Sequence, residues 1–383
     1  MKYDYIIAGS GCAGLSLLFR MLKDPILKNK KILVIDKSKK TDNDRTWCYW
    51  EEGTGLFEAI VTHEWRRLQF LTSEFIKEFH LENYSYKMIK GLDFYSYVLS
   101  FAEEFENVVF KQEAIKSIQT ETNAALVETE NGKYTSDYVF NSTSLFNPEI
   151  NKENSLLQHF EGWVIKTKEP TFNSEVGTLM DFRLDQKNGA TFMYVLPTSS
   201  TEALVEYTLF SPALLKKEEY KLALKEYIKN YLHIDDYEIL HTEFGVIPMS
   251  LAKFSRTTDA SELIINIGTA GGHTKASSGY TFQFIQKNTE RIISQLQLSG
   301  NPNVKMTFRE KMFQWYDRTL LEVLISNKMK GKEVFSLLFG KRSPEMILKF
   351  LANESSLVDD IKIMSSLPIG PFLSAGVKQL KSN

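Results

Sequence analysis

The stretch ALVEYTLFS, residues 203–211, sets a carboxyl among apolar neighbours. Strand alternation turns Glu206 to one face with Leu204, Thr208 and Phe210, and Ala203, Val205, Tyr207 and Leu209 to the other. A glutamate so placed is either a paired structural charge or an acid whose surroundings raise its pKa until it holds a proton near neutrality. A second acid, Asp181 in TLMDFR, follows Leu179 and Met180. Its alternatives are acid chemistry and a plain salt bridge to Arg183.

Phosphate chemistry is announced near the first residue. YDYIIA is a short apolar run suited to a buried parallel strand, and AGLSLLFRMLKD can form the helix after it. Between them, Gly9 permits a tight turn, Gly11 lets backbone approach a pyrophosphate, and Gly14 lets the helix pack closely on the strand. Ser10 and Ala13 complete the loop, whose phosphate would sit at the positive end of the helix. KKILVIDK follows and carries Asp36, 22 residues after Gly14, where a carboxylate can accept a ribose hydroxyl. The alternative is a purely structural strand–helix–strand unit.

The pattern then departs from a nicotinamide-dinucleotide domain. A polar loop, KKTDNDRTWCYWEEG, carries Arg45, which faces either a cofactor or a loop salt bridge. A hairpin is expected around Asn131–Gly132. Much later, LIINIGTAGGHTKASSGYTFQFIQKN reads as a strand, a second glycine-rich turn and a helix. Two such turns in one domain suit extended FAD, and Gly268, Gly271, Gly272 and Gly279 are the expected points of close approach.

These elements require a frame. A length of 383 residues suits two joined domains, and 43% hydrophobic with 25% charged residues is ordinary for a globular chain. A net charge of -2 offers no general attraction to nucleic acid. Cys12 and Cys48 alone provide no disulfide framework, and the six histidines show no metal-ligand spacing, so no metal is expected. No targeting segment or spanning helix is read, which suits a cytoplasmic setting. The 26 Phe and 17 Tyr are either large aromatic cores or the walls of a long apolar tunnel.

The expected fold is α/β: a Rossmann-like FAD-binding domain (1–85, 108–150 and 255–300) interleaved with an antiparallel β-sheet substrate domain (86–107 and 151–254), plus a helical region at 301–383. Within the sheet domain, KKEEYKLALKEYIKNYL reads as an amphipathic helix.

DRTWCYW, LMDFRLDQ, FMYVLPTSSTEALVEYTLFS, GVIPMS, GTAGGHTKASSGYTF, FQWYDRTLLEVL and LPIGPFL occur in that order. Together they resemble the flavin-dependent lycopene β-cyclases, a branch of the flavoprotein monooxygenase-like superfamily, over nearly the whole chain. The resemblance implies an enzyme that binds FAD, needs it reduced, and converts the acyclic ψ ends of lycopene into β rings without net electron transfer. NAD(P)H would serve as a reductant. Glu206 falls on the glutamate of the family's LEET-like motif, as the acid or its relay, and Asp181 on a family acid that would hold Glu206 or the flavin's surroundings. Tyr207 replaces the motif's second carboxylate, which speaks against a shared-carboxylate mechanism. Thr269 stands where hydroxylases of this superfamily carry Asp, and Ala276 where relatives carry Pro. Tyr194, Tyr207 and Phe210 are either core or cation–π faces.

A water-insoluble substrate implies drawing from a bilayer. The C-terminal helices, FREKMFQWYDRTLLEVLISNKM among them, are therefore expected to give peripheral contact with the inner face of the membrane through an apolar, lysine-edged surface. Two other functions remain open from sequence: a redox enzyme of the same fold (monooxygenase or isoprenoid reductase), and a noncatalytic carotenoid or flavin carrier.

Overall fold

A computed structural model describes residues 2–258 and 261–381. The run KYDYIIA forms the strand Lys2–Ala8, where Ile6, Ile7 and Ala8 are fully buried. It lies parallel to Ile32–Asp36 on one side and Lys133–Asn141 on the other. Val108–Gln112 extends the parallel set, and Ile264–Asn266 pairs with Lys133–Asn141. Ile115–Glu121 and Ala124–Thr129 complete a seven-stranded sheet by antiparallel pairing. The helices Cys12–Lys23 and Phe282–Ser299 pack together and bury Leu15, Phe19, Ile285 and Ile292 in the core of this sheet. Both glycine-rich turns therefore precede helices on one side of the sheet.

The second seven-stranded sheet runs Glu238–Ser250, Ser155–Lys166, Glu202–Ser211, Ala190–Pro197, Val176–Asp181, Arg67–Leu71, Ile76–His80. Alternation gives it two apolar faces. Trp163, Val205 and Leu209 meet the helix Lys217–Asn230, which answers with Tyr220, Leu224, Tyr227 and Ile228 at helical spacing. Each large side chain buried there contributes roughly 1.5–3 kcal/mol. The opposite face, with Leu204, Phe210 and Phe192, meets Phe335, Phe339 and Leu348 from the helices Gly331–Lys341 and Pro344–Leu351. A small sheet of Thr46–Glu52, Tyr84–Lys90 and His63–Trp65 adds Trp50, Trp65 and Tyr86 to that core.

Two segments pack otherwise than the sequence-based division expects. Residues 67–80 join the second sheet, because Arg67–Leu71 pairs in parallel with the distant Val176–Asp181. Conversely, the helix Gly91–Ala102 buries Phe94, Tyr95 and Val98 in the core of the nucleotide-type sheet. Neither short alternating strands nor an apolar helix face carries information about which sheet it will meet.

Candidate functional site

The strand Ser155–Lys166 lies between the Glu202–Ser211 and Glu238–Ser250 strands, and its Gly162 pairs with Glu206 on one side and Glu243 on the other. Neighbouring strands are about 4.8 Å apart, so the two glutamate backbones stand about 10 Å apart in one row. Residues in one such row project to the same face, and the position between the glutamates has no side chain. A Cβ on Gly162 would lie 3.1 Å from Leu204 Cδ1 and 3.2 Å from Glu243 Cγ, so the side chain of Glu243 occupies the space above the glycine. The two carboxyls face each other there, and each acts on the other's proton.

Each carboxyl has one hydroxyl donor besides. Thr208 Oγ1 donates to Glu206 Oε1 at 2.7 Å, and Thr46 Oγ1 to Glu243 Oε2 at 2.8 Å. Glu206 is 9% and Glu243 7% exposed. Burial, followed by the Glu243 charge, raises the pKa of Glu206 to about 8. Burial also raises Glu243, but the Thr46 hydroxyl and the Arg45 charge work the other way. The pair therefore keeps one proton near neutrality, with Glu206 the stronger proton holder. Tyr194 lies opposite Glu206 on the adjoining strand, and its hydroxyl is 3.4 Å from that of Tyr280.

The first glycine loop has the form its sequence implies. Gly9 adopts φ 102, and a side chain on Gly14 would collide with the Gly9 carbonyl and Ile7, whereas nothing lies within 4 Å of an added Cβ on Gly11. Gly11 caps the helix Cys12–Lys23 with no side-chain bond, and no acid occupies its first turn, which leaves the positive end open to an anion. Ser10 donates its amide to Asp36 Oδ2 at 2.7 Å, and Ser38 donates its own to Oδ1 at 2.9 Å. Burial opposes the Asp36 charge, yet these amides and Lys40 outweigh it and hold the carboxyl below its usual range. A backbone cradle with an ionised acid beside it fits the adenosine diphosphate half of FAD.

Arg45 pairs with Asp44 at 2.8 Å while its charge reaches both Glu243 and Cys12. Its position links the carboxyl pair to the first glycine loop. The second turn closes from the other side: Gly268, Gly272 and Gly279 have φ of 61, 73 and 73, and Gly271 packs against the Asn266 carbonyl. A side chain on Gly279 would strike Gln158, a residue of the Gly162 strand. Ala13 contacts Gly268, which joins the two turns. His273 is buried in the turn, hydrogen-bonded to the Gly268 carbonyl and to Arg256. Among the described residues no cluster of three or more His, Cys, Asp or Glu is arranged to hold a metal.

Asp181 is not brought to this pair. Its carboxylate is clasped by Arg183, with Nη2 at 2.6 Å, and accepts the Tyr227 hydroxyl at 2.7 Å. Tyr227 belongs to the helix covering the opposite face of the sheet, and Tyr207 faces that same helix. Sequence reasoning missed Glu243, Gly162 and Thr46. In HTEFGVIPMS, alternation sets Glu243 on one face with Ile247 and Met249, the signal that singled out Glu206. Also missed was buried Lys275, 2.7 Å from Asp317, which ties the second turn to the helix Phe308–Ile325.

A family model described as "Lycopene cyclase protein" matches residues 4–376. The chain belongs to that family, and it is accordingly an enzyme. A protein named lycopene beta-cyclase from Pantoea ananas is 23% identical, over 97% of each chain. Among solved structures, a geranylgeranyl bacteriochlorophyll reductase-like protein from Thermoplasma acidophilum superposes with a TM-score of 0.64 at 13% identity, covering 100% of this chain and 99% of the other. A flavoprotein/dehydrogenase from Cytophaga hutchinsonii gives 0.61 at 15% identity over 100% of both. The lycopene cyclase chain thus has the α/β fold of these flavoprotein-type structures, as its two glycine turns lead one to expect.

Proposed function

We propose that the enzyme binds FAD and cyclises the ψ ends of lycopene to β rings by proton transfer, with Glu206 as the acid. The observation that carries this reading is the carboxyl pair buried across Gly162 beside an apolar core, where burial raises the pKa of both acids. An alkene is a very poor base, so its protonation needs such a positioned acid in a dry site. Glu206 gives its proton to the terminal double bond, leaving a tertiary carbocation. The neighbouring double bond attacks that carbon and closes the ring. Loss of a proton from the ring then restores the pair to one proton, and substrate and product are isomers.

Gly9, Ser10, Gly11, Ala13, Gly14 and Asp36 would hold the adenosine diphosphate half of FAD, with Arg45, Gly268, Gly271, Gly272 and Gly279 toward the flavin. Reduced flavin, when bound, supplies negative charge beside the developing cation. Tyr194, paired with Glu206 on the adjoining strand, offers an aromatic face for that cation. Asp181 is assigned a structural role, holding Arg183 and Tyr227 at the sheet face opposite.

Lycopene is drawn from a bilayer, on this reading, by the C-terminal helices Leu357–Met364 and Ile369–Lys381. Leu357, Val358, Ile361, Ile369, Leu373 and Leu380 are exposed there. Among the described residues no helix is long and apolar enough to cross a membrane. Ile361→Glu with Leu373→Glu should reduce sedimentation with neutral lipid vesicles; unchanged sedimentation would argue against this surface. For the reaction itself, the protein is incubated anaerobically with vesicle-bound lycopene and chemically reduced FAD. Cyclic carotene with the flavin still reduced is expected, and product formed only in step with flavin oxidation would favour a redox enzyme instead.

A further inference from the structure

A cavity of about 930 Å³ lies between the second glycine turn, the helix Phe282–Ser299 and the helix Phe308–Ile325. Gly11, Arg45, Glu206 and Glu243 are not among its walls, but Gly272, assigned above toward the flavin, is, so the cavity adjoins the second glycine turn's side of the cofactor site. Seven Lys and Arg side chains line it against three acids, so its field is positive. Part of that charge is already answered, because Lys275 pairs with Asp317, Arg291 with Glu310 and Lys287 with Glu354.

Two guanidinium groups on the wall are in no ion pair among the described residues. Arg256 donates to His273 Nε2 at 2.7 Å and to Asn288 Oδ1 at 3.3 Å, both neutral acceptors. The histidine is neutral because burial and the Arg256 charge hold its pKa well down. Arg318 donates to the Leu251 carbonyl and to Gln379 Oε1. Among the described residues neither arginine forms an ion pair, although the charge of Glu310, itself paired with Arg291, acts on Arg256; burial lowers the pKa of both. A half-buried cation hydrogen-bonded only to neutral groups is costly and gains from an anion.

We propose that this cavity is an anion site for the phosphate group of an amphiphilic ligand, held by Arg256 and Arg318. Two guanidinium groups suit the oxygens of one phosphate by charge and by hydrogen-bond count. Phe254, Phe284 and Trp315 add apolar wall for the rest of such a ligand. Trp315 Nε1 also donates to the Gly376 carbonyl at 3.0 Å, so the cavity adjoins the helix that exposes Ile369, Leu373 and Leu380. The phosphate can come from a phospholipid headgroup or from a soluble phosphate ester. The site stands apart from the carboxyl pair and does not depend on the proposed cyclisation.

The test uses the full chain saturated with FAD, so that the cofactor positions at the two glycine turns are not the site measured. Inorganic pyrophosphate is titrated by calorimetry, and sedimentation is compared with phosphatidylcholine vesicles with and without phosphatidylglycerol. Binding of either anionic probe is expected, weakened about tenfold by Arg256→Gln with Arg318→Gln, while sedimentation with neutral vesicles is unchanged. Pyrophosphate binding alone identifies a soluble phosphate ester, and a phosphatidylglycerol preference alone a headgroup. No binding of either probe overturns the proposal, as does wild-type affinity in the folded double variant. Should that variant not fold, Lys311→Glu, at an exposed wall position, must weaken the anionic probe about threefold; unchanged affinity overturns the proposal equally.

Discussion

Glu206 and Glu243 face each other across Gly162, in one row of three neighbouring strands. Neither carboxyl could come this close if the middle strand carried a side chain there. The arrangement supplies from a separate strand the second carboxyl that Tyr207 had seemed to remove, so sharing of a proton is restored by register rather than by sequence adjacency.

Cyclisation should require the protonated form of Glu206 and fall as pH rises past its raised pKa of about 8. Glu206→Gln should lose at least about 100-fold in turnover. In Glu243→Gln the repelling charge is gone, so the alkaline limb should move about one unit toward lower pH. A pH profile of turnover for the three proteins checks both statements.

The same shift bears on stability. Because the folded pKa of Glu206 lies above its unfolded value near 4.5, the folded state binds the extra proton between the two. The proton-linked advantage is complete below the unfolded value and is lost as pH rises through the folded one. Glu206→Gln escapes that loss and should be roughly 2 kcal/mol more stable than the parent at pH 9, with a smaller difference at pH 5. Urea unfolding at the two pH values measures it.

Gly162→Val should displace the pair, since even a Cβ meets Leu204 and Glu243 at 3.1 and 3.2 Å. Turnover should fall about 10- to 100-fold with FAD affinity retained, as read by flavin fluorescence.

Asp181→Asn should cost about 2–3 kcal/mol, because Arg183 loses its ionic partner while Tyr227 keeps an acceptor. Thermal unfolding should register the loss, while turnover per folded molecule stays near the parent value.

Gly11 and Gly14 should separate cofactor binding from folding. Gly11→Val has room in the protein and should fold, yet weaken FAD by at least about tenfold. Gly14→Val meets the Gly9 carbonyl and should unfold at markedly lower temperature.

Much of this was legible in the sequence for definite reasons. The strand Lys2–Ala8 and its glycine loop announce themselves because a continuous apolar run followed by spaced glycines admits few structures. The face occupied by Glu206 followed from period two alone, and Leu204, Thr208 and Phe210 do lie with it. Glu243 obeyed the same rule but sits 37 residues on, after a helix, and strand register is set by packing and turns that a linear pattern does not contain. For that reason Gly162 looked like any strand glycine. Asp181 followed two apolar residues much as Glu206 does, but it lies on the other sheet face, where Arg183 and, from the helix Lys217–Asn230, Tyr227 hold it.

The central claim is that a proton from Glu206 enters the product without net redox chemistry. Anaerobic reaction in deuterated water, with reduced FAD and vesicle-bound lycopene, followed by mass spectrometry of the carotenes and the flavin spectrum, tests it most directly. One deuterium per ring formed, with the flavin still reduced and incorporation abolished in Glu206→Gln, is the predicted result. Cyclic product without deuterium, or flavin oxidised in proportion to product, would contradict the account.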